Sequence, residues 1–93
     1  MILEIVSPEA TLFSGEVTSV SVPGINGEFQ MLNNHAAIVS ILAKGTVKIT
    51  ATSFNIDKAN LAKFTKVNEQ NYWLAINSGT IEMNNNKVIV LAD

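Results

Sequence analysis

Ser19-Val20-Ser21-Val22-Pro23-Gly24-Ile25-Asn26-Gly27-Glu28-Phe29-Gln30-Met31 decides the fold. Two valines alternate with two serines. A Pro-Gly and an Asn-Gly pair then interrupt the run, after which Phe29 and Met31 alternate with Glu28 and Gln30. Alternation at period two is the mark of a half-buried strand, because successive side chains leave a pleated backbone on opposite faces. Gly and Asn tolerate the positive φ that tight turns demand. The stretch therefore reads as a β-hairpin whose loop carries two glycines.

Outward from this hairpin the same rhythm returns. Val47, Ile49 and Ala51 alternate with Thr46, Lys48, Thr50 and Thr52; Tyr72, Leu74 and Ile76 are offset from Trp73 and Ala75; Ile81 and Met83 flank Glu82. Ser7-Pro8, Ser14-Gly15, Lys44-Gly45, Ser78-Gly79 and Asn84-Asn85-Asn86 punctuate the runs. Lys87-Val88-Ile89-Val90-Leu91 is apolar on both sides of its alternation, which places it in a central strand. The pattern predicts an all-β fold, an antiparallel β-sandwich of two packed sheets with about eight to ten short strands. Residues 53–70 break the rhythm. Asp57 as an N-cap, with Leu61 and Phe64 three apart, gives a short helical turn over 57–64; a long strand connection serves equally well.

Ninety-three residues, 47% hydrophobic and 15% charged, make one folded domain, 1–93, without a linker or repeat. The six basic residues are all lysines, and the net charge is −2. A phosphate reader gains most from arginine's bidentate fork on a basic face, so nucleic acid is not the expected partner. Cysteine is absent, which removes disulfides and thiolate metal sites. The first eight residues have no basic segment or long apolar core, so they do not read as a signal peptide. The longest apolar-rich stretch, 36–43, is far short of the roughly 20 residues that span a bilayer. Membrane association is expected through another protein, with no direct insertion.

Catalytic groups are sparse. His35 is the single histidine, no Gly-x-Ser-x-Gly elbow occurs, and the carboxylates are scattered singly. A small hydrolase on His35 and an acid would lack a constellation, and neither a cofactor nor a metal is expected. Glu4 and Glu82 lie in alternating strands, where solvated outer faces are the ordinary explanation. Gly24-Ile25-Asn26-Gly27 matches the Gly-x-x-Gly of some RNA-binding loops, but its flanks are strands rather than helices. Of the adjacent pair Tyr72-Trp73 one ring faces in and the other out. The outer ring gives a second functional reading, a stand-alone binding module that stacks a sugar.

Several phrases together carry more than a fold class. Leu12-Phe13-Ser14-Gly15-Glu16-Val17, Val20-Ser21-Val22-Pro23-Gly24 and Gly27-Glu28-Phe29 resemble the opening of the F-type ATP synthase epsilon subunit. Gly45-Thr46-Val47-Lys48-Ile49, Ser78-Gly79, Ile81-Glu82-Met83 and Asn86-Lys87-Val88-Ile89-Val90-Leu91-Ala92-Asp93 continue the likeness in the family's order. Departures matter, and residues 53–70 have no counterpart in the family pattern. Asn33-Asn34-His35-Ala36-Ala37 stands where the family has Pro-Gly-His-Ala-Pro, Gln30 replaces a Gly, and Thr80 replaces another. Asn34 can take over from Gly at a positive φ.

The resemblance implies a non-enzymatic rotor piece, the N-terminal β-sandwich that couples the gamma subunit to the c-ring in proton- or sodium-driven ATP synthesis. It implies c-ring contacts from the Gly24–His35 end of the sandwich, through Glu28, Asn34 and His35, and gamma contacts from Ser7 and Ser40. An apolar strip on one sheet face is expected to meet gamma. The family's C-terminal helical hairpin, which inhibits hydrolysis or binds ATP in some members, has no counterpart before Asp93. The implied location is peripheral, on the cytoplasmic face of the bacterial inner membrane.

Overall fold

A computed structural model describes residues 1–93. Ten short strands follow one another: β1 (Ile2–Val6), β2 (Thr11–Glu16), β3 (Ser19–Gly24), β4 (Gly27–Leu32), β5 (Ile38–Leu42), β6 (Gly45–Thr50), β7 (Phe64–Asn68), β8 (Asn71–Ile76), β9 (Gly79–Asn84) and β10 (Lys87–Ala92). They form two layers. The first runs β2-β1-β10-β9-β5, the second β4-β3-β6-β8-β7, and the layers join where Gly24 of β3 pairs with Leu42 of β5. The result is a curled β-sandwich. Every pairing is antiparallel except β1 with β10, where Leu3 lies beside Val88 and Ile5 beside Val90. That parallel pair puts β10 between β1 and β9, a central position as its two-sided apolar run predicts.

The alternation seen in the sequence maps onto the layers. Val20, Val22, Met31, Val47, Ile49, Ile81 and Met83 all point into the core, with Leu3, Ile5, Val88 and Val90 from the parallel pair. The β3–β4 hairpin turns on Ile25 and Asn26. Gly27 takes φ +121°, and a Cβ on Gly24 would lie 2.8 Å from the Gly27 carbonyl, so side chains are excluded there for two separate reasons.

Residues 53–70 resolve into a short helix and a strand. The helix α1 is Lys58–Leu61 only, and Phe64 belongs to β7, so the turn expected over 57–64 is cut short. Asp57 does not cap it through its side chain; its backbone carbonyl accepts from the Asn60 and Leu61 N–H groups instead. Buried Asn60 donates from Nδ2 to the Thr11 carbonyl at 3.2 Å, which ties α1 to β2. Phe54 closes the sandwich beside it, with ring centroids 4.3 Å from Tyr72 and 6.0 Å from Phe13.

Candidate functional site

Glu28 sits one residue past the hairpin, on the outer pleat of β4 with Gln30 and Leu32. Its carboxylate meets Lys48 Nζ at 3.1 Å, and the same ammonium lies 5.0 Å from the Trp73 ring centroid. Register explains this row: Gln30 lies beside Ser21, Ser21 beside Lys48 and Lys48 beside Trp73. Both charges are half exposed, so the pair is worth no more than about 1 kcal/mol. Trp73 faces out and Tyr72 faces Phe54, as the alternation requires, and Lys48 takes one face of the indole.

The loop after β4 is pinned by asparagines. Asn34 adopts φ 61°, its N–H donates to Asn86 Oδ1 at 2.8 Å, and the Met1 ammonium donates to Asn33 Oδ1 at 2.8 Å. The His35 N–H closes a turn onto the Leu32 carbonyl at 3.2 Å, and its exposed ring donates from Nδ1 to the Ala36 carbonyl at 2.7 Å. No group of three or more His, Cys, Asp or Glu side chains gathers around it or elsewhere.

Glu28 and the Asn34–His35 pair are not brought together. Glu28 begins β4 and the loop follows its last residue, Leu32, so they mark the two ends of a strand about 13 Å apart. What they share is a flank. β4 pairs only with β3, and its other edge is free. The Gly24–His35 region is thus an edge of the sandwich rather than one of its ends.

Ser7 and Ser40 separate as well. Ser7 sits after β1, where its Oγ donates to the Ala10 carbonyl at 3.2 Å and accepts from the Ala10 N–H at 3.3 Å. It lines a cleft of about 520 Å³ with Val6, Ile41, Leu91 and Asp93, while Ser78 Oγ donates to Asp93 Oδ2 at 2.5 Å on the cleft wall. Ser40 lies on β5 between Val39 and Ile41, on the opposite pleat. It lines a second cleft with the β3–β4 hairpin, Glu28 included. Ser40 therefore groups with Glu28, and Ser7 with the apolar cleft.

The feature that sequence reasoning did not name residue by residue is the outer face of the first layer. Val39 is 77% exposed, Ile41 60% and Leu91 52%. Pairing aligns them in rows: Val6–Leu91–Thr80–Ile41 across four strands, and Glu4–Ile89–Glu82–Val39 beside it. Scattered exposed apolar side chains are ordinary, but three on the outer face of one layer make it a candidate interaction surface. Ile38-Val39-Ser40-Ile41-Leu42 and Val88-Ile89-Val90-Leu91 carried the signal, since both are apolar on the pleat that faces away from the core as well as on the one that faces it.

One titrating group is displaced. Lys66 on β7 is held above the ordinary lysine value of 10.5, first by its 2.8 Å hydrogen bond to Glu69 and then by that carboxylate's charge. The pair is exposed and far in sequence from the clefts. No helix is long and apolar enough to cross a membrane.

The family profile described as "ATP synthase, Delta/Epsilon chain, beta-sandwich domain" matches residues 1–62. An ATP synthase epsilon chain of Campylobacter curvus is 38% identical over 98% of this chain and 59% of its own length. That of Chlorobaculum tepidum is 33% identical, over 98% of this chain and 86% of its own. This chain thus spans about three-fifths of the Campylobacter relative. Among solved structures, the central stalk/c-ring of Tetrahymena thermophila mitochondrial ATP synthase contains a chain that superposes with TM-score 0.71 at 13% identity, over 98% of this chain and 61% of the other. A chain of the Euglena gracilis mitochondrial enzyme superposes with TM-score 0.76 at 17% identity, over 99% and 49%. At such identities the superpositions speak to fold alone.

Proposed function

The chain belongs to the ATP synthase delta/epsilon family, and from that premise we propose that it is a non-catalytic piece of the central stalk, coupling a gamma subunit to the c-ring during proton- or sodium-driven ATP synthesis. The observation that carries the proposal is the exposed apolar patch of Val39, Ile41 and Leu91, which continues into the cleft beside Ser7. Burying these side chains against water-covered partner surface is favourable at about 25 cal/mol per Å². The outer face of the first layer is the gamma-docking surface in this reading, and Ser7 lies on its rim.

The c-ring meets the β4 flank, where Glu28 and the Asn34–His35 loop offer polar contacts at the two ends of one edge strand. Rim contacts of this kind set register more than affinity. Ser40, which shares a cleft with Glu28, belongs to this flank rather than to gamma. The location that follows is peripheral, on the cytoplasmic face of the bacterial inner membrane, held there by the complex.

Ile41→Asp tests the proposal. The side chain is mostly exposed, so the fold should survive, whereas replacing its apolar contact by a carboxylate should weaken gamma binding by at least about tenfold. Titration calorimetry against the purified cognate gamma subunit measures it. Absence of binding by the unmodified chain, or undiminished binding by Ile41→Asp, would defeat the proposal.

A further inference from the structure

Glu4, Ile89 and Glu82 stand side by side on three adjacent strands, β1, β10 and β9, all on the outer pleat. Neighbouring strands lie about 4.8 Å apart, so the two carboxylates flank Ile89 with roughly 10 Å between their backbones. Neither has a cation. The two ion pairs of the molecule, Glu28–Lys48 and Glu69–Lys66, lie on the other layer. The next row, Val6–Leu91–Thr80–Ile41, is uncharged, and Asp93 adds a third carboxylate at the cleft beyond it. The one lysine on this face, Lys87, lies at the far end of β10, paired with Ile2 and Asn84.

We propose that Glu4 and Glu82 are the specificity-determining charges of this docking face, and that the partner segment seated on Ile89 and Leu91 is an apolar ridge bordered on both sides by lysine or arginine. The inference rests on the reading that this face docks the gamma subunit, and it deepens that reading by fixing the partner's chemistry. Charge complementarity carries it. A patch this apolar would accept any greasy surface, and two unpaired carboxylates set into it penalise every occupant except one that brings positive charge to both flanks. The roughly 10 Å gap matches the 10–12 Å diameter of an α-helix with its side chains. A basic amphipathic helix laid along β10 places its apolar stripe on Ile89 and Leu91 and its two borders over Glu4 and Glu82. The solvated-strand reading of these glutamates accounts for each alone, but not for both lying without a cation on either side of half-buried Ile89, with exposed Leu91 next on the same pleat.

The test is association kinetics with the purified cognate gamma subunit at about 50 mM and about 500 mM salt, which spans strong to weak screening. The unmodified chain should associate about tenfold more slowly at high salt. Glu4→Gln with Glu82→Gln should lose most of that salt dependence and associate about tenfold more slowly at low salt; Glu4→Lys with Glu82→Lys should be slower again. Glu69→Gln, just past β7 on the other layer, should behave as the unmodified chain does. Circular dichroism confirms that each variant is folded, and these outward positions give no reason for misfolding. A doubly neutralised variant with the original rate and salt slope overturns this inference and leaves the docking proposal standing. An unmodified chain that fails to bind gamma at either salt overturns both.

Discussion

Gly79→Ala should be the most damaging single-methyl addition in the domain. Gly79 opens β9, paired with Ala92 of β10 on one side and Leu42 of β5 on the other. A Cβ there would lie 2.3 Å from the Leu91 carbonyl oxygen, 3.3 Å from its carbonyl carbon and 3.4 Å from the Ala92 Cα. All three are backbone atoms and cannot rotate away. Relief requires moving the end of β10 by about 1 Å, and β10 is held on its far side by the parallel ladder to β1. Overpacking costs about 1–3 kcal/mol, and one weakened ladder hydrogen bond adds about 0.5–1.5 kcal/mol, so the expected loss is about 2–4 kcal/mol. A domain of this size has about 5–14 kcal/mol in hand at about 0.05–0.15 kcal/mol per residue, and the thermal midpoint should fall by roughly 10–25 °C. Urea unfolding followed by far-UV circular dichroism measures the loss. Gly15→Ala is the control: its nearest neighbour is the Phe13 ring at 3.3 Å, a side chain that can give way, so the loss should stay under about 1 kcal/mol. If Gly79→Ala is no worse than Gly15→Ala, the close-approach reasoning is wrong.

Two further outcomes follow from the same geometry. Asn34 holds φ 61° in the loop that carries His35, so Asn34→Gly should unfold within about 0.5 kcal/mol of the unmodified protein while Asn34→Ala costs about 1–2 kcal/mol; equal effects in urea titrations would remove the left-handed backbone as the reason for asparagine. Lys66 titrates above 10.5 because Glu69 hydrogen-bonds and attracts its ammonium. A raised folded value means that the contribution is complete below the unfolded lysine value and is lost as pH rises through the folded one. NMR titration of the Lys66 side chain should therefore move back toward 10.5 in Glu69→Gln, and an unchanged titration would show that the pair does not persist in solution.

The strands were legible because their inner pleats are apolar and their outer pleats mostly are not. Val20-Ser21-Val22 and Val47-Lys48-Ile49 needed no coordinates. The β3–β4 turn was equally plain, since Gly24 and Gly27 answer two different backbone demands. β7 escaped notice because Phe64-Thr65-Lys66-Val67-Asn68 is an edge strand that buries only Phe64, so half of its alternation has nothing to register. The parallel β1–β10 pair was invisible for another reason: sequence spacing reports turns between neighbours, and these strands are the first and last of the chain. The separation of Ser7 from Ser40 follows from strand parity. Ser40 alternates with Val39 and Ile41, so it points away from the apolar face that they form. Position in a family pattern gave the residue, while the pleat decides where it faces.

The outer face of the first layer and the chain's topology share one cause. Its four strands, β1, β10, β9 and β5, bring together Glu4 and Val6 from one end of the sequence and Glu82, Ile89 and Leu91 from the other. None of the apolar rows exists until β10 has entered between β1 and β9, because Leu91 is aligned with Val6 on one side and Thr80 on the other only then. A loop closed over most of the chain is entropically costly and slow to form. Each layer contains two local hairpins, β1–β2 and β9–β10 in the first and β3–β4 and β7–β8 in the second, and the first layer alone also joins the two ends of the chain. A partner that binds this face, as proposed above, would favour the folded chain by mass action. Under that proposal a polypeptide with β10 undocked, in which Leu91 is not yet beside Val6 and Thr80, lacks the ordered rows on which a partner would seat.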